Sequence, residues 1–444
     1  MAVGLPARSA GAEPLRLGVF QVDATPPVGS ALCNGLVKPV AQIVTPLTAR
    51  GIVLSGAGKP IVLCVFDWVG IANESHDACR EALARAVGTS VDRVTVHVLH
   101  QHDAPGSDFA TERLLEKHGL GGLYSNAEFD RTVFARLAES AGTSLAKARP
   151  VTQVGTGVGL VEKVASNRNI LGPAGKVVMQ RNSSSRNPAA QAAPEGTVDA
   201  KVRTITFWDG DRALAVLSYY ATHPQSYYGQ GAVNWDFVGM AREQREQALP
   251  GVAHIHFNGA GGNVAAGKYN DGSPAMRPIL AGRLAAGMQQ AWESQRRAPV
   301  TAADVRWHLE PVALPVRDTL REQELAARLA DPKQPQAQRI RAARDLAFVQ
   351  RMSAGHRMPI TCLQLGSARV LHLPGELFVE YQLSAQRIRP DDFVAMAAYG
   401  DLGPGYVGTE TAYAQGGYET GIVSRVAPQV ESVLFGAVQA LLQH

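Results

Sequence analysis

Residues 93–106 read RVTVHVLHQHDAPG, and this stretch predicts a β-strand that ends in a pair of histidines. The β-branched residues over Arg93–Leu99 indicate a strand, and His100 and His102 follow at once. In α/β sheets, polar side chains just beyond the carboxyl ends of strands line a crevice, so both histidines are expected there. Alternate residues of an extended chain point in opposite directions, and therefore only one of the two need bind a metal. His97, inside the strand, is interpreted as a hydrogen-bonded histidine of the sheet.

Further strands and helices alternate along the chain. Five other runs rich in β-branched residues predict strands at Ile61–Phe66, Ala213–Tyr220, Ala253–Phe257, Ala368–Leu373 and Phe393–Ala397. Apolar residues recur at helical spacing after the capping-box pattern at Ser125–Glu128 (Phe129, Val133, Leu137) and again at Leu280, Leu284, Met288 and Trp292. This alternation predicts an α/β fold with a mixed, largely buried sheet covered by helices, in a single domain over residues 1–444.

Two segments depart from this alternation. Residues 172–197 are rich in Gly, Pro, Ser and Asn, which predicts a long loop or flap over the surface. Residues 318–352 are dense in Arg, Glu, Gln and Ala, with a capping-box pattern at Thr319–Glu322 and a break at Asp331–Pro335. We therefore expect a helical hairpin at 318–352, inserted between the strand-rich halves of the chain.

Composition excludes several classes of protein. The chain has 444 residues with 43 Lys+Arg against 39 Asp+Glu, and the excess of four positive charges forms no basic stripe, so nucleic acid is not an expected partner. The four cysteines are widely spaced, which favours buried thiols over a thiolate zinc site or a disulfide framework.

Residues Met1–Pro14 lack an apolar run long enough for a signal-peptide core, and no later segment resembles a membrane span. The localisation is left open, as either cytoplasmic or dependent on an export signal missing from this sequence.

Two more predicted strands end in side chains that can bind a metal. His223 follows the strand at Ala213–Tyr220, and Glu376 follows the strand at Ala368–Leu373. Two histidines and a carboxylate with one open position form the pattern by which catalytic zinc sites lower the pKa of bound water to about 7. The sequence therefore predicts a zinc-dependent hydrolase in which His100, His223 and Glu376 are brought together.

The same positions resemble the catalytic domain of neutral ceramidases. His100–Gly106 resembles the family's HxHSGPG segment, Ala221–His223 and Leu373–Glu376 are similar to its second zinc histidine and zinc glutamate, and Tyr406–Glu419 (YVGTETAYAQGGYE) resembles Y(I/V)TTxEEYxxQxYE. The resemblance implies one zinc ion per chain, bound by His100, His223, Glu376 and Tyr406. It also implies that His102 assists catalysis, that Tyr418 donates to the developing oxyanion and that Arg168 orients the substrate.

The family resemblance implies an amidase of lipid-like N-acyl substrates that acts in sphingolipid or other lipid metabolism. It also implies a secreted or periplasmic protein, and peripheral contact with a membrane is left open. One departure concerns the family segment NAGNMSPN, which corresponds to Gly259–Ala266 and puts Ala265 where ceramidases carry an active-site serine. Asn263, beside it, is assigned with Ala265 and Arg168 to substrate binding. Ceramide itself therefore becomes a doubtful substrate, and a smaller or more polar N-acyl compound is expected.

The chain ends at His444, roughly 25 residues after Tyr418, so no immunoglobulin-like tail domain of about 100 residues is expected. Two alternatives to the amidase stay open: an esterase or deacylase of a carbohydrate-type substrate at the same site, and an inactive relative that binds a lipid or glycan. A nucleotide site at Gly262–Tyr269 is disfavoured, because a phosphate-binding loop needs Ser or Thr after Lys268 and a helix directly behind it.

Overall fold

The computed structural model describes residues 14–444. The prediction about a signal peptide concerns Met1–Pro14 and so falls, except for Pro14, outside the described residues. Within the described range the helices are α1 (Asn73–Val87), α2 (Phe109–Glu116), α3 (Ala127–Ala146), α4 (Pro188–Ala192), α5 (Asp236–Ala248), α6 (Met276–Glu293), α7 (Glu322–Ala330), α8 (Gln336–Ser353), α9 (Val379–Ile388), α10 (Glu410–Gln415) and α11 (Val430–Gln443).

The strands in the described range include nine that are only two residues long. In chain order they are β1 (Arg16–Asp23), β2 (Gln42–Ile43), β3 (Thr48–Ser55), β4 (Ile61–Phe66), β5 (Gly70–Ile71), β6 (Val94–Val98), β7 (Gly106–Ser107), β8 (Arg149–Pro150), β9 (Gln153–Leu160), β10 (Ser166–Asn167), β11 (Asn169–Leu171), β12 (Val177–Gln180), β13 (Lys201–Asp209), β14 (Arg212–Tyr220), β15 (Ala232–Val233), β16 (Ala253–Asn258), β17 (Val264–Ala265), β18 (Arg296–Pro299), β19 (Val305–Val312), β20 (Met358–Leu365), β21 (Ala368–His372), β22 (Glu376–Leu377), β23 (Phe393–Ala397) and β24 (Tyr406–Val407).

Three larger sheets organise the molecule. Their strand orders are β6-β4-β3-β1-β8, β16-β14-β13-β9-β18 and β19-β20-β21-β23. Each sheet is mixed and contains one parallel pair, namely β4 with β6, β14 with β16, and β21 with β23. The strands that precede His100, His223 and Glu376 in the chain are β6, β14 and β21, and each belongs to the parallel pair of its own sheet. Three different sheets therefore contribute to the site.

The first two sheets lie face to face between two layers of helices. All six residues of β4 are buried, because Val62, Cys64 and Phe66 pack on the side of α1 and α3, whereas Ile61, Leu63 and Val65 face the second sheet. A strand buried on both faces is expected to be continuously apolar, as this one is. Helices α5 and α6 cover the far side of the second sheet. The result is a four-layer α/β/β/α arrangement, with α9 and α11 covering the third sheet.

The fold class predicted from the sequence is confirmed, and each of the six predicted strands is present to within one or two residues at either end. The apolar stripe at Leu280, Leu284 and Met288 is buried in α6, and Val133 and Leu137 are buried in α3. The helical hairpin is also present, as α7 and α8 separated by Asp331–Pro335. That residues 1–444 form one domain stays a prediction.

Two predicted helix caps were wrong. Helix α3 is capped by Asn126, whose Oδ1 accepts from the Phe129 amide at 3.1 Å, whereas the expected cap, Ser125, contacts Glu112. Helix α7 begins at Glu322 with Arg321 as its N-cap and no side-chain cap bond, so the pattern at Thr319–Glu322 is not a capping box. A Ser or Thr three residues before a Glu is a local signal, and the surrounding packing decides which residue takes the cap.

Residues 172–197 are not simply a flap over the surface. They contain β12, which pairs with β11, and the short helix α4. Arg181 is 1% exposed and donates to the backbone carbonyls of Asn167, Ala190, Ala193, Pro194 and Glu195. The buried guanidinium satisfies the carbonyl of Asn167 in β10 together with carbonyls in and after α4, and so it ties the loop to the body of the protein.

Further predictions from composition have clear outcomes. The four cysteines are free and buried, as predicted. Across residues 14–444, no helix is both long enough and apolar enough to cross a membrane.

Candidate metal centre

His100 leaves the end of β6 in a strained backbone conformation. Its φ of 63° lies in the left-handed region, which non-glycine residues seldom adopt and which is over-represented at functional sites, where the surrounding structure enforces it. Its Nδ1 lies 2.6 Å from the backbone oxygen of Val69, and its Nε2 lies 3.1 Å from Oε2 of Glu376. The imidazole is thereby fixed with Nε2 directed at the carboxylate.

His223 reaches the same carboxylate from the second sheet. Its Nδ1 lies 2.7 Å from the backbone oxygen of Gly261, and its Nε2 lies 3.2 Å from Oε2 of Glu376 and 3.0 Å from the hydroxyl of Tyr406. The side chain is 2% exposed, so burial lowers the pKa of His223 below its ordinary value despite the nearby carboxylate. The ring is therefore neutral at neutral pH.

Glu376 and Tyr406 are brought together by strand pairing. They are direct partners in the short parallel pair of β22 and β24, although they are separated by thirty positions in the chain. Gly375 precedes Glu376 with a φ of 73°, which favours glycine at this turn.

The donor atoms of this cluster fit a divalent cation. A backbone carbonyl can only accept a hydrogen bond, so Nδ1 of each histidine donates and Nε2 is the ring nitrogen directed at Glu376, where it can bind a metal. The ligand atoms of His100, His223 and Glu376 all lie within 4.8 Å of one another, and all three residues are buried. Two lone pairs and a carboxylate oxygen repel one another unless a cation lies among them, and nitrogen and oxygen ligands of this kind suit zinc.

Tyr406 completes the cluster and is itself held by Arg168. The guanidinium NH1 of Arg168 donates to the Tyr406 hydroxyl at 3.0 Å and to the Gly262 carbonyl at 3.3 Å. Its other nitrogens lie 2.9 Å from the Asn182 amide oxygen and 3.0 Å from Oε1 of Glu419. Arg168 is 6% exposed and turned towards these protein groups. The structure thus places Arg168 behind Tyr406, where it orients the phenol.

His102 lies beside the cluster rather than in it. Its Nδ1 is 3.1 Å from the carbonyl oxygen of His100 and contacts the side-chain amide of Gln225, while its ring packs edge-on against Tyr228. Burial, together with the neighbouring imidazoles of His100 and His223, lowers the pKa of His102 well below its ordinary value. His102 is therefore a neutral, half-buried base next to the candidate metal position.

Tyr418 stands at the more open side of the site. Its side chain is 45% exposed, and its ring lies 5.9 Å from the Tyr406 ring. Partial burial and the charge of Glu376 raise the pKa of the Tyr418 phenol, so the hydroxyl keeps its proton and can act as a donor.

Asn263 and Ala265 occupy structural positions. The Asn263 side chain accepts from the Val379 amide at 2.9 Å and donates to Glu380 at 2.9 Å, at the beginning of α9. Ala265 is 1% exposed and pairs with Ser166, whose hydroxyl donates to the Ala265 carbonyl. Neither residue lines the cavity that contains His100 and Glu376. Their assignment to substrate binding stays a prediction without a contact to support it.

The glycine-rich segment near Lys268 does not form a phosphate-binding loop. The ammonium of Lys268 donates to the backbone carbonyls of Gln191 and Ala193, and the next helix, α6, begins only at Met276. This agrees with the sequence argument against a nucleotide site.

The candidate metal cluster opens into a cavity of about 110 Å³. His100, His102, Glu376, Tyr406 and Tyr418 line it. Other lining residues come from the Cys33–Asn34 turn, the start of α1, the N-cap of α2, the loop before β24, the segment after Tyr418 and helix α8, none of which the sequence had marked as part of the site.

Sequence reasoning also missed residues that support the site. Gln225 contacts His102, and Glu419 is fully buried and accepts from Asn169 and Gln180 besides pairing with Arg168. Tyr399 has a φ of 59°, packs its ring 5.1 Å from that of His100, and has a buried hydroxyl without a hydrogen-bond partner among the described residues. Glu419 directly follows Tyr418 in the motif that resembles the ceramidase family, and this was the one feature of the sequence that could have marked it as a site residue.

No protein-family model and no curated protein matches this chain. Solved structures do match it. A ceramidase complexed with C2 has a TM-score of 0.72 at 17% identity, covering 97% of this chain and 75% of its own. The neutral ceramidase from Pseudomonas aeruginosa has a TM-score of 0.71 at 18% identity, covering 97% and 74%. The predicted resemblance is therefore confirmed for the fold: nearly the whole chain has the fold of neutral ceramidases.

Proposed function

We propose that this protein is a zinc-dependent hydrolase that cleaves a linear N-acyl amide bond. The observation that carries the proposal is the convergence of His100, His223, Glu376 and Tyr406, with both histidines fixed through Nδ1 to backbone carbonyls. A site that only bound a lipid or glycan would have no need for four buried groups of this kind. Similarity of fold to ceramidases adds support for amide hydrolysis.

In this proposal the four residues hold one zinc ion. When bound, zinc supplies a Lewis acid that polarises the scissile carbonyl and activates water. His102, neutral because its pKa is depressed, accepts a proton from the attacking water and returns it to the leaving nitrogen as the C–N bond breaks. The Tyr418 hydroxyl donates to the oxygen that becomes negative when the new C–O bond forms. Arg168 acts through Tyr406 as a positioning residue.

We propose further that long-chain ceramide is a poor substrate. Ala265 stands where ceramidases have a serine, but its methyl group is buried outside the cavity, so this proposal rests on the cavity itself. The cavity is small and lined in large part by polar side chains rather than by a continuous apolar surface. A short N-acyl or N-acetyl compound suits such a cavity better than a long acyl chain.

The test is a substrate series assayed with metal-loaded and chelated protein. We expect hydrolysis of short N-acyl amides that disappears with chelation and returns with zinc, together with about one zinc per chain by elemental analysis. Full activity after complete metal removal would contradict the zinc assignment. A specificity constant that rises with acyl length and is highest for ceramide would contradict the substrate assignment. Faster cleavage of the matching esters, without amide cleavage, would identify an esterase instead.

A further inference from the structure

Helix α8, from the predicted hairpin, forms part of the cavity wall. The cavity-lining residues of this helix are Ala337, Ile340, Arg341 and Arg344. Their spacing of three, one and three positions puts them on one face of an α-helix. The face presented to the site is therefore half apolar and half cationic, and both arginine side chains are partly buried.

These two arginines differ from the others nearby in having no protein partner. Arg425, which also lines the cavity, pairs with Asp345 at 2.7 Å, and Arg351, one of the other arginines of α8, pairs with Asp77 at 2.6 Å. Among the described residues, neither Arg341 nor Arg344 takes part in a hydrogen bond or an ion pair. Guanidinium groups stay protonated at all physiological pH values, so both bring a positive charge without a directly bonded partner into a partly enclosed space.

The acidic groups near Arg344 are already engaged. Asp108 lines the cavity but accepts hydrogen bonds from the Asn73 amide at 2.7 Å and the Thr111 hydroxyl at 2.6 Å, as the N-cap of α2. Asp345 is bound by Arg425. Neither carboxylate has a hydrogen bond to Arg344, which instead lies with its guanidinium carbon 5.7 Å from the centre of the Tyr124 ring. Five N–H donors of a guanidinium remain available to a ligand.

The free arginines lie close to the reacting groups of the proposed mechanism. Tyr418 lines the same cavity, and the charges of Arg341 and Arg344 both act on its phenol. An anionic group bound by these arginines would therefore belong to the same small molecule whose carbonyl reaches Tyr418. Guanidinium groups recognise carboxylate and phosphate through paired, charge-assisted hydrogen bonds.

We propose that the substrate is an N-acyl compound that carries an anionic group, a carboxylate or a phosphate, and that Arg341 and Arg344 bind this group. The inference rests on the proposed amide hydrolysis and names its substrate class. It also accounts for the preference against ceramide, because a neutral lipid amide would leave both guanidinium groups desolvated and without a partner.

Matched probes test this proposal. N-acetylglycine and N-acetylglycinamide differ in charge but hardly in size, and N-acetylethanolamine phosphate and N-acetylethanolamine form a second pair that separates phosphate from carboxylate recognition. Binding of each probe is measured by calorimetry, and hydrolysis is measured as acetate release. We expect the anionic member of at least one pair to bind more tightly by about 10-fold or more, since hydrogen bonds to charged groups are the stronger class.

Variants then assign the effect to the arginines. Arg344→Gln and Arg341→Gln should each weaken binding and raise KM for the anionic probe by about 10- to 100-fold, so that the preference for the anionic over the neutral member of the pair is lost. Arg328→Gln, an exposed arginine of α7, makes the same change of charge on the hairpin away from the cavity and should alter neither probe. Circular dichroism checks folding, and either cavity variant suffices if the other fails to fold.

The outcomes separate the two proposals. Tight, arginine-dependent binding of an anionic probe without any acetate release would contradict the amidase but support the anion site. Hydrolysis with equal binding of charged and neutral probes in both pairs would support the amidase and overturn the anion site. Unchanged discrimination in both Arg341→Gln and Arg344→Gln would also overturn it.

Discussion

The two histidines of the HxH motif are predicted to have separable roles. In the structure only His100 points Nε2 at Glu376, at 3.1 Å, whereas the His102 ring stands nearly perpendicular to that of His100, with centres 4.9 Å apart. His102→Ala should therefore leave the metal bound while removing a general base. The expected loss of turnover is about 10²–10⁴-fold, the usual contribution of a positioned acid–base group.

His100→Ala removes a ligand and should have a different signature. Loss of a group that merely orients a ligand typically costs about 10–100-fold in metal affinity, and loss of the ligand itself should cost more. We expect metal content and activity to fall together in this variant. His118→Ala, at an exposed histidine outside the site, is the matched control and should change neither quantity.

The assay combines elemental analysis of purified variants with acetate release from a short N-acetyl amide. Zinc titration of chelated protein then gives the affinity of each variant. If His102→Ala loses metal to the same extent as His100→Ala, the two histidines bind the metal jointly or in reversed roles. In that case the reasoning from ring orientation is refuted.

Three further predictions concern the framework around the site. Asp67→Asn breaks a buried bidentate pair with Arg242 (2.6 and 2.9 Å) and should lower the free energy of unfolding by about 3–5 kcal/mol in urea titrations. Burial raises the pKa of Asp67, but Arg242 outweighs burial and lowers it. The stabilisation is therefore present at neutral pH and is lost as the pH falls through the pKa of Asp67 in the folded state. A variant as stable as the wild type at pH 7 would contradict this prediction. Gly375→Ala should lower the free energy of unfolding by about 1–3 kcal/mol and reduce the metal content by displacing Glu376. The reason is that φ of Gly375 is positive and that a Cβ at this position would come 2.9 Å from a backbone oxygen. An unchanged melting temperature and an unchanged metal content would argue against this prediction. The thiols should resist a disulfide reagent in native protein and react on unfolding, since all are buried and burial raises the pKa of Cys33 to about 12; rapid native labelling would contradict this.

Part of the site could be read from local pattern. The strands before His100, His223 and Glu376 are short apolar runs, and the exit of such a strand is a position that periodicity alone can mark. The structure indeed brings these three side chains together, although from three sheets instead of one. Tyr406 came only through resemblance to a known motif, because no periodicity singles out a tyrosine as a metal ligand.

Other features depended on contacts between distant parts of the chain. Arg168 touches Tyr406, 238 positions away, and Gln225 touches His102, 123 positions away. Asn263 was assigned to the site because its segment resembles one of the ceramidase family, yet its side-chain amide is used at the beginning of α9. Each of these roles is set by which side chains meet after folding, and a pattern over a few neighbouring residues carries no information about that.

The amino-acid sequence by itself determined the α/β class, the strand exits and the helical hairpin, because hydrophobic period, turn residues and Pro breaks act over a few positions of the chain. Only the tertiary structure decided that Glu376 and Tyr406 are paired neighbours and that α8 of the hairpin turns Arg341 and Arg344 into the cavity. The physical reason is that a helix has one periodic pattern whatever it packs against, so the identity of its partner, and hence the chemistry of the cavity it lines, appears only when the layers are assembled.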